Sequence, residues 1–162
     1  MTSSSLSSAS ASRTLSRLFS NEVFVAFHRV LLEIWRGRFD DAASIADDAA
    51  ERARLLEGEL PHGIALTMQA AVAAYTGQVD DACERADLAL PMVRPAGSFL
   101  LSAWPVIVKG FAEVARGNHG AAISALEPLL SDFDPEATEI FFAAYLPDAI
   151  EAMVAADRSA DA

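Results

Sequence analysis

A turn pattern with glycine in its first position and alanine in its sixth occurs three times in this chain, forty positions apart. The copies occupy residues 37–42, 77–82 and 117–122, and a degenerate, truncated fourth copy falls in the same phase at 157–162. Self-similarity at a fixed period of roughly 20–50 residues is the signature of an array of stacked supersecondary units. Each unit buries its apolar face only against its neighbours, and the stack forms extended concave surfaces that commonly bind partners.

Apolar residues at helical spacing fill the segments between these turns. The pattern predicts helices over roughly 21–37, 40–56, 61–76, 79–93, 98–116 and 120–131, with a last helix ending near 156. Each turn glycine ends a helix, and acidic pairs such as Asp40–Asp41 start the next, where carboxylates accept free backbone N–H groups. Pro105 either kinks its helix or marks the helix's true start, and Pro147 is a possible break. No segment alternates with period two for long enough to form a strand, so the predicted fold class is all-α.

Composition narrows the functional classes. The net charge of −11 and the scattered basic residues argue against direct nucleic-acid binding. No stretch approaches the ~20 uncharged apolar residues of a membrane span, and no apolar signal-peptide core follows the N-terminus. Cys83 is the only cysteine, which excludes an internal disulfide and favours a reducing, cytoplasmic location. Arginine outnumbers lysine eleven to one, which is typical of a GC-rich bacterial genome.

Residues 1–20 contain nine serines and no acidic side chain. A segment of this kind buries too little apolar area to offset its ordering entropy, so we predict a flexible N-terminal segment. The same bias loosely resembles an organellar transit peptide, and Leu15, Leu18 and Phe19 could equally begin helical packing.

Compared position by position, the repeat resembles the tetratricopeptide repeat (TPR). In that family a glycine closes helix A, and a small side chain lies where helix B crosses it, as Ala42, Ala82 and Ala122 would here. The family also favours a small residue seven positions before the turn glycine. That register holds Val30, Ala70 and Gly110, and the larger Val30 predicts a looser first pair.

The forty-residue period exceeds the usual TPR length and is similar to the TPR-like region of large LuxR-type (MalT-like) transcriptional regulators. The runs Ala122–Leu130 and Leu146–Val154 resemble the end of that array. The resemblance implies a right-handed TPR-like α-solenoid over 21–162, with about three helical pairs, a C-terminal helix, and a sensory or protein-docking role. Family members add an ATP-binding domain and a helix-turn-helix. This sequence has no phosphate-binding Gly-x-x-x-x-Gly-Lys-Ser/Thr motif, so neither ATP hydrolysis nor DNA binding carries over.

Helix A faces of such arrays line the inner groove, and exposed aromatic anchors there carry much of the binding energy. The alternative for any one of these side chains is a core position. The groove candidates are Phe24, Phe27, Leu31, Trp35, Thr67, Tyr75, Trp104, Ile107 and Phe111. Arg29, Gln69 and Lys109 recur every forty residues and predict a polar ladder along one edge of the groove, suited to an acidic peptide or an anionic small molecule; the alternative is solvated helix faces.

The residues that could be reactive or could bind a metal are explained by structural roles. His28, His62 and His119 show no zinc spacing, and the Asp pairs are explained by the helix starts. Cys83 beside the second turn alanine fits a small buried thiol with no base near it in sequence. We therefore predict no catalytic activity, no cofactor and no metal.

Three interpretations of function remain. The leading one is a module that docks a protein or peptide. The second is a small-molecule sensor with its ligand among Phe27, Trp35, Tyr75, Trp104 and Phe111. The third is self-association through an open end of the array, where the fourth turn stops before its second helix and Phe141, Phe142 and Tyr145 form a candidate end face. Whether the chain is a whole protein or part of a larger regulator stays open.

Overall fold

The computed structural model describes residues 22–56, 58–131 and 143–157. These residues form seven α-helices and no β-strand, which confirms the all-α fold class. The helices are α1 (22–35), α2 (Phe39–Ala53), α3 (Glu59–Tyr75), α4 (Val79–Val93), α5 (Phe99–Ala115), α6 (His119–Ser131) and α7 (Leu146–Ala155). The predicted N-terminal segment 1–20 and the end-face residues Phe141 and Phe142 lie outside the described residues. Among the described helices, none combines the length and the apolar character that a membrane span requires.

The turns between paired helices repeat bond by bond. After α1 the N–H of Gly37 donates to the carbonyl of Ile34 at 2.9 Å, and the N–H of Arg38 donates to that of Glu33 at 2.9 Å. This is the Schellman arrangement, which needs a left-handed residue past the helix end. The same two bonds recur around Gly77 and Gly117, and the three glycines have φ of 72°, 82° and 78°. Asp157 stands in the same phase with φ of 58°, so the described part of the fourth turn keeps the backbone conformation without the glycine.

The helix starts differ in detail from the prediction. Arg38 and Gln78 are the residues before α2 and α4, and neither makes a side-chain cap bond. The acidic pairs occupy the second and third positions of these helices, inside the first turn, where negative charge is favoured by the helix dipole. Pro105 lies inside α5, which begins after Ser98, and the Ser98 hydroxyl accepts the N–H of Leu101.

The packing of each pair depends on small residues at the helix crossing. Ala42, Ala82 and Ala122 are each fully buried. Gly110 of α5 lies directly under Leu126 of α6, so closely that a β-carbon would come within 2.6 Å of that side chain. The equivalent positions in the earlier pairs hold Val30 with Ala46 and Ala70 with Ala86, all buried. In the first and third pairs a larger residue on one helix is thus matched by a small one on the other, whereas the second pair has alanine on both; the looser packing of the first pair stays a prediction.

Consecutive helices pack on one another, and alternate helices also meet: α3 contacts α5, and α5 contacts α7. The largest core cluster joins buried residues of α1 to α5, among them Val30, Ala46, Met68 and Val108. A second cluster places Tyr145, just before α7, with Ala103 of α5 and Leu126 of α6. Helices α1, α3, α5 and α7 are therefore grouped under the name inner row, because α3 contacts α5, α5 contacts α7, and Phe27 of α1 meets Trp104 of α5.

Candidate functional site

Two aromatic side chains of the inner row are open to solvent at matching positions. Trp35 is the last residue of α1 and is 67% exposed, and Tyr75 is the last residue of α3 and is 44% exposed. Phe24, near the start of α1, is also exposed. Large exposed aromatic rings on a rigid helix are the side chains most often found as binding anchors. The repeat predicted this correspondence between Trp35 and Tyr75.

Four of the predicted groove residues are core residues instead. Phe27 and Leu31 of α1, Thr67 of α3 and Ile107 of α5 are all buried. Thr67 is satisfied within its own helix, because its hydroxyl donates to the carbonyl of Gly63 at 2.8 Å. The reason is the close spacing of the inner row: α3 is rich in alanine, so its neighbours approach closely and cover side chains that wider spacing would leave open.

The remaining rings of the predicted small-molecule site pack on one another. Phe27 meets Trp104 edge to face, with ring centroids 5.3 Å apart, and so joins α1 to α5. Tyr75 stacks on Phe111 with centroids 4.6 Å apart and ring planes at 17°. Both arrangements are favourable aromatic pairs. A ligand seated between these rings would have to separate contacts that already hold the inner row together.

A carboxylate of α7 lies close enough to Tyr75 to affect it electrostatically. Burial, and to a smaller degree the charge of Asp148, raise the pKa of the Tyr75 phenol. Asp148 is itself half-buried, and burial together with the neighbouring Glu151 raises the pKa of its carboxyl to about 6. The Asp148 carboxyl and the Tyr75 phenol therefore lie close together, and Asp148 has the register in which α3 and α5 hold the buried Met68 and Val108.

The polar ladder is present in register, but two of its three members are used between helices. Gln69 of α3 donates to Asp47 of α2 at 2.9 Å. Lys109 of α5 donates to Asp87 of α4 at 2.6 Å. Among the described residues Arg29 makes no hydrogen bond or ion pair and is exposed. The ladder therefore ties α3 and α5 each to the helix that precedes it, and its first member, Arg29, makes no such bond.

Each member of the ladder also lines a surface cleft. Arg29 lies in a cleft of about 720 Å³ between α1 and α2. Gln69 lines one of about 410 Å³ formed by α2, α3 and α4, and Lys109 lines one of about 410 Å³ formed by α4, α5 and α6. The sequence analysis missed the acids Asp47 and Asp87 as partners. Two regularities of the sequence could have indicated them: Asp47 and Asp87 are forty residues apart, and each precedes its ladder residue by twenty-two positions.

A buried polar cluster between α4 and α5 was also missed. The Cys83 thiol donates to Glu113 at 3.5 Å, and Arg116 donates to the Cys83 sulfur at 3.4 Å and to Asp80 at 2.8 Å. Burial, with the neighbouring Glu113 carboxyl, raises the pKa of the Cys83 thiol to about 11. A protonated buried thiol of this kind is a poor nucleophile. The partners lie about thirty residues apart, so no local motif signals them.

The remaining predicted positions have structural roles. Tyr145 of the candidate end face is buried, so it belongs to the core. Asp80 and Asp81 pair with Arg116 and Arg85, and within the described residues no group of three or more His, Cys, Asp or Glu side chains could hold a metal ion.

Comparison of the chain with protein-family models, with curated proteins and with solved structures found no match.

Proposed function

We propose that this chain is a non-catalytic binding module, built as a right-handed TPR-like α-solenoid, that docks a protein or peptide partner. Its setting would be the sensory or docking region of a LuxR-type transcription regulator in the bacterial cytoplasm, or a stand-alone relative of that region. Support for the architecture comes from the forty-residue recurrence of the turn bonds, the buried crossing alanines and the contacts between alternate helices.

The observation that carries the binding role is the exposure of Trp35 and Tyr75 at equivalent positions of successive units. Both rings stand on rigid helices, and Tyr75 is supported from behind by its stack on Phe111. An anchor held in one orientation loses little side-chain entropy on binding, so its burial stabilises a complex efficiently. Two such anchors one repeat apart suit an extended partner that crosses both units.

Docking of a macromolecule is better supported than capture of a small molecule. Small-molecule sites generally bury most of the ligand within a concave apolar pocket. Here Phe27, Trp104, Tyr75 and Phe111 are already paired with each other. Of the five rings in the alternative small-molecule site only Trp35 is not paired with another of the five, and it lies at a helix end near the turn.

The test uses Trp35 as its own reporter. The chain has two tryptophans, so Trp104→Phe leaves Trp35 as the sole indole, and partner docking should shift its emission to the blue as water leaves the ring. Candidate partners are proteins identified by affinity capture with wild type and then purified. Trp35→Ala and Tyr75→Ala should weaken binding by roughly tenfold or more each, whereas Leu88→Ala, an exposed residue of α4, should not.

Two results would count against the proposal. Binding that is equally strong in the Trp35→Ala and Tyr75→Ala variants would remove the anchors from the interface. A compound that stabilises the protein in a thermal-shift screen, with the stabilisation lost in Trp35→Ala, would favour the sensor instead. The link to transcription has its own test, because the purified partner, or the rest of a longer reading frame, should carry a DNA-binding helix-turn-helix.

A further inference from the structure

The outer face of α1 is more exposed than the same face of the later inner helices. Val25 is 58% and Leu32 is 41% exposed. Their equivalents on α5, Pro105 and Ala112, are buried, and so are those that belong to the fourth unit, Tyr145 and Ala152. In the later units this face packs against the preceding outer helix: α2 on α3, α4 on α5 and α6 on α7.

The charged residue of the same face also makes no bond to a neighbouring helix. Gln69 and Lys109 bond to acids of the preceding helix, as described above. Arg29 occupies their register; Glu33, one turn later on α1, acts on it electrostatically, but no acid of another helix in the described residues bonds to it. The face thus combines two exposed aliphatic side chains with one cation that no neighbouring helix pairs. A helix that presents apolar residues around a carboxylate would complete it, as α2 and α4 do in later units. Residues 1–20 of the chain contain no acidic side chain and cannot supply that carboxylate.

The outer face of α7 also exposes aliphatic side chains, but its charged residue is an acid where α1 has a base. Ile150 is 46% and Val154 is 55% exposed. Ile150 has the register of Gly110, which Leu126 of the following helix covers, and of Val30 and Ala70, which are fully buried. Glu151 lies beside them and is exposed, with no hydrogen bond or ion pair among the described residues. Residues three and four apart lie on one helix face, so these three side chains form one stripe.

We propose that the two faces bind each other between copies of this chain, so that α7 of one molecule packs head to tail on α1 of the next. Ile150 and Val154 would cover Val25 and Leu32, and Glu151 would pair with Arg29. Each helix then takes the place that an outer helix occupies elsewhere in the repeat. The contact uses different patches on the two molecules, so it extends into short rows of copies and does not close as a two-fold dimer.

This association should be reversible and concentration-dependent. One helix stripe on each side gives a contact smaller than the ~1,200–2,000 Å² of a standard stable interface, and the net charge of −11 on each copy opposes it. The experiment is sedimentation velocity of the whole chain from low-micromolar to near-millimolar concentration, at physiological salt. The weight-average mass of wild type should rise steadily with concentration.

Substitutions at solvent-exposed positions separate the two faces. Val25→Asp and Ile150→Asp should each keep the far-UV circular dichroism of wild type and should each reduce the association at least tenfold. An equimolar mixture of these two variants should form dimers and stop, because each variant retains one competent face. Leu88→Asp, at an equally exposed position of α4, is the matched control and should associate like wild type.

Charge reversal tests the ion pair. Arg29→Glu and Glu151→Arg should each weaken association by roughly two- to tenfold, and the chain carrying both changes should recover most of the loss. A chain that stays monomeric at the highest concentration would overturn the proposal. So would association unaffected by Ile150→Asp, or a mixture of Val25→Asp and Ile150→Asp that forms no dimer. Neither Trp35 nor Tyr75 is involved, so this result is independent of the proposed docking function.

Discussion

The contact between Gly110 and Leu126 gives the sharpest test of how this repeat packs. A methyl group added at Gly110 would place a β-carbon 2.6 Å from Cγ and Cδ2 of Leu126 and 2.9 Å from its Cδ1. Carbon atoms in contact normally lie ~3.5–4.0 Å apart, so the overlap is about 1 Å. Leu126 is fully buried and cannot turn away into solvent. Gly110→Ala therefore overpacks the crossing of α5 and α6.

The expected free energies follow from two opposing effects. Overpacking a core costs about 1–3 kcal/mol, and replacing glycine inside a helix by alanine contributes about 1 kcal/mol of stability. Gly110→Ala should thus destabilise the protein by up to about 2 kcal/mol. Leu126→Ala should cost about 2–5 kcal/mol through lost burial and a cavity. In that background the added methyl group fits, so Gly110→Ala should instead stabilise by about 1 kcal/mol. The double variant recreates the alanine pair of Ala70 and Ala86.

The assay is urea unfolding followed by circular dichroism, analysed as a double-mutant cycle. The predicted signature is a change of sign, with Gly110→Ala destabilising wild type and stabilising the Leu126→Ala protein. Gly120→Ala on α6 is the matched control, since nothing lies within 4 Å of its β-carbon position; it should be stabilising in both backgrounds. If Gly110→Ala has the same effect in both backgrounds to within about 0.5 kcal/mol, the size-compensation argument is wrong.

Three further predictions rest on single residues. Asp148 has a pKa of about 6 in the folded protein against an ordinary 3.8, so the folded state binds more protons and stability should fall as pH rises from about 4 to 6. After allowance for solvent screening the fall is about 1–2 kcal/mol, and Asp148→Asn should abolish it in thermal melts across that range. The Cys83 thiol, with its pKa of about 11, should react with a disulfide reagent at pH 8 at least about 100-fold more slowly in native protein than in urea; equal rates would contradict its burial beside Glu113. Asp157→Gly should stabilise by about 1 kcal/mol by relieving a left-handed residue, and Gly117→Ala should destabilise by a similar amount, with chemical denaturation reporting both.

The helices and turns were predictable because their signals are local. A glycine needed for a left-handed conformation, an acidic first turn and apolar residues at helical spacing all act within a few residues. The positions of Gly37, Gly77 and Gly117 therefore predicted the turns that the structure shows. The capping prediction was wrong in detail: the acidic pairs lie inside the first turn and not at its start. Which residue caps a helix depends on where the backbone first becomes helical, and the local pattern does not determine that position to one residue.

The candidate site was only partly predictable. Register alone placed Trp35 and Tyr75 at equivalent exposed positions, but it could not separate them from Phe27 or Ile107, which share the same helices and are buried. Exposure there depends on how closely α1, α3 and α5 approach, and on which rings pair across the inner row. The Cys83–Glu113 contact likewise joins residues that only the stacking of α4 on α5 brings together.

The sequence by itself determined the all-α class, the forty-residue unit, the turn positions and the crossing alanines, because each depends on backbone conformation or side-chain size within one unit. Only the tertiary structure decided which members of a repeated register are core, ladder or open surface. Arg29, Gln69 and Lys109 share one register, yet the first is open and the others are bonded to Asp47 and Asp87. The reason is physical: a position in a repeat is completed by the helices packed against it, so identical local patterns have different environments from one unit to the next.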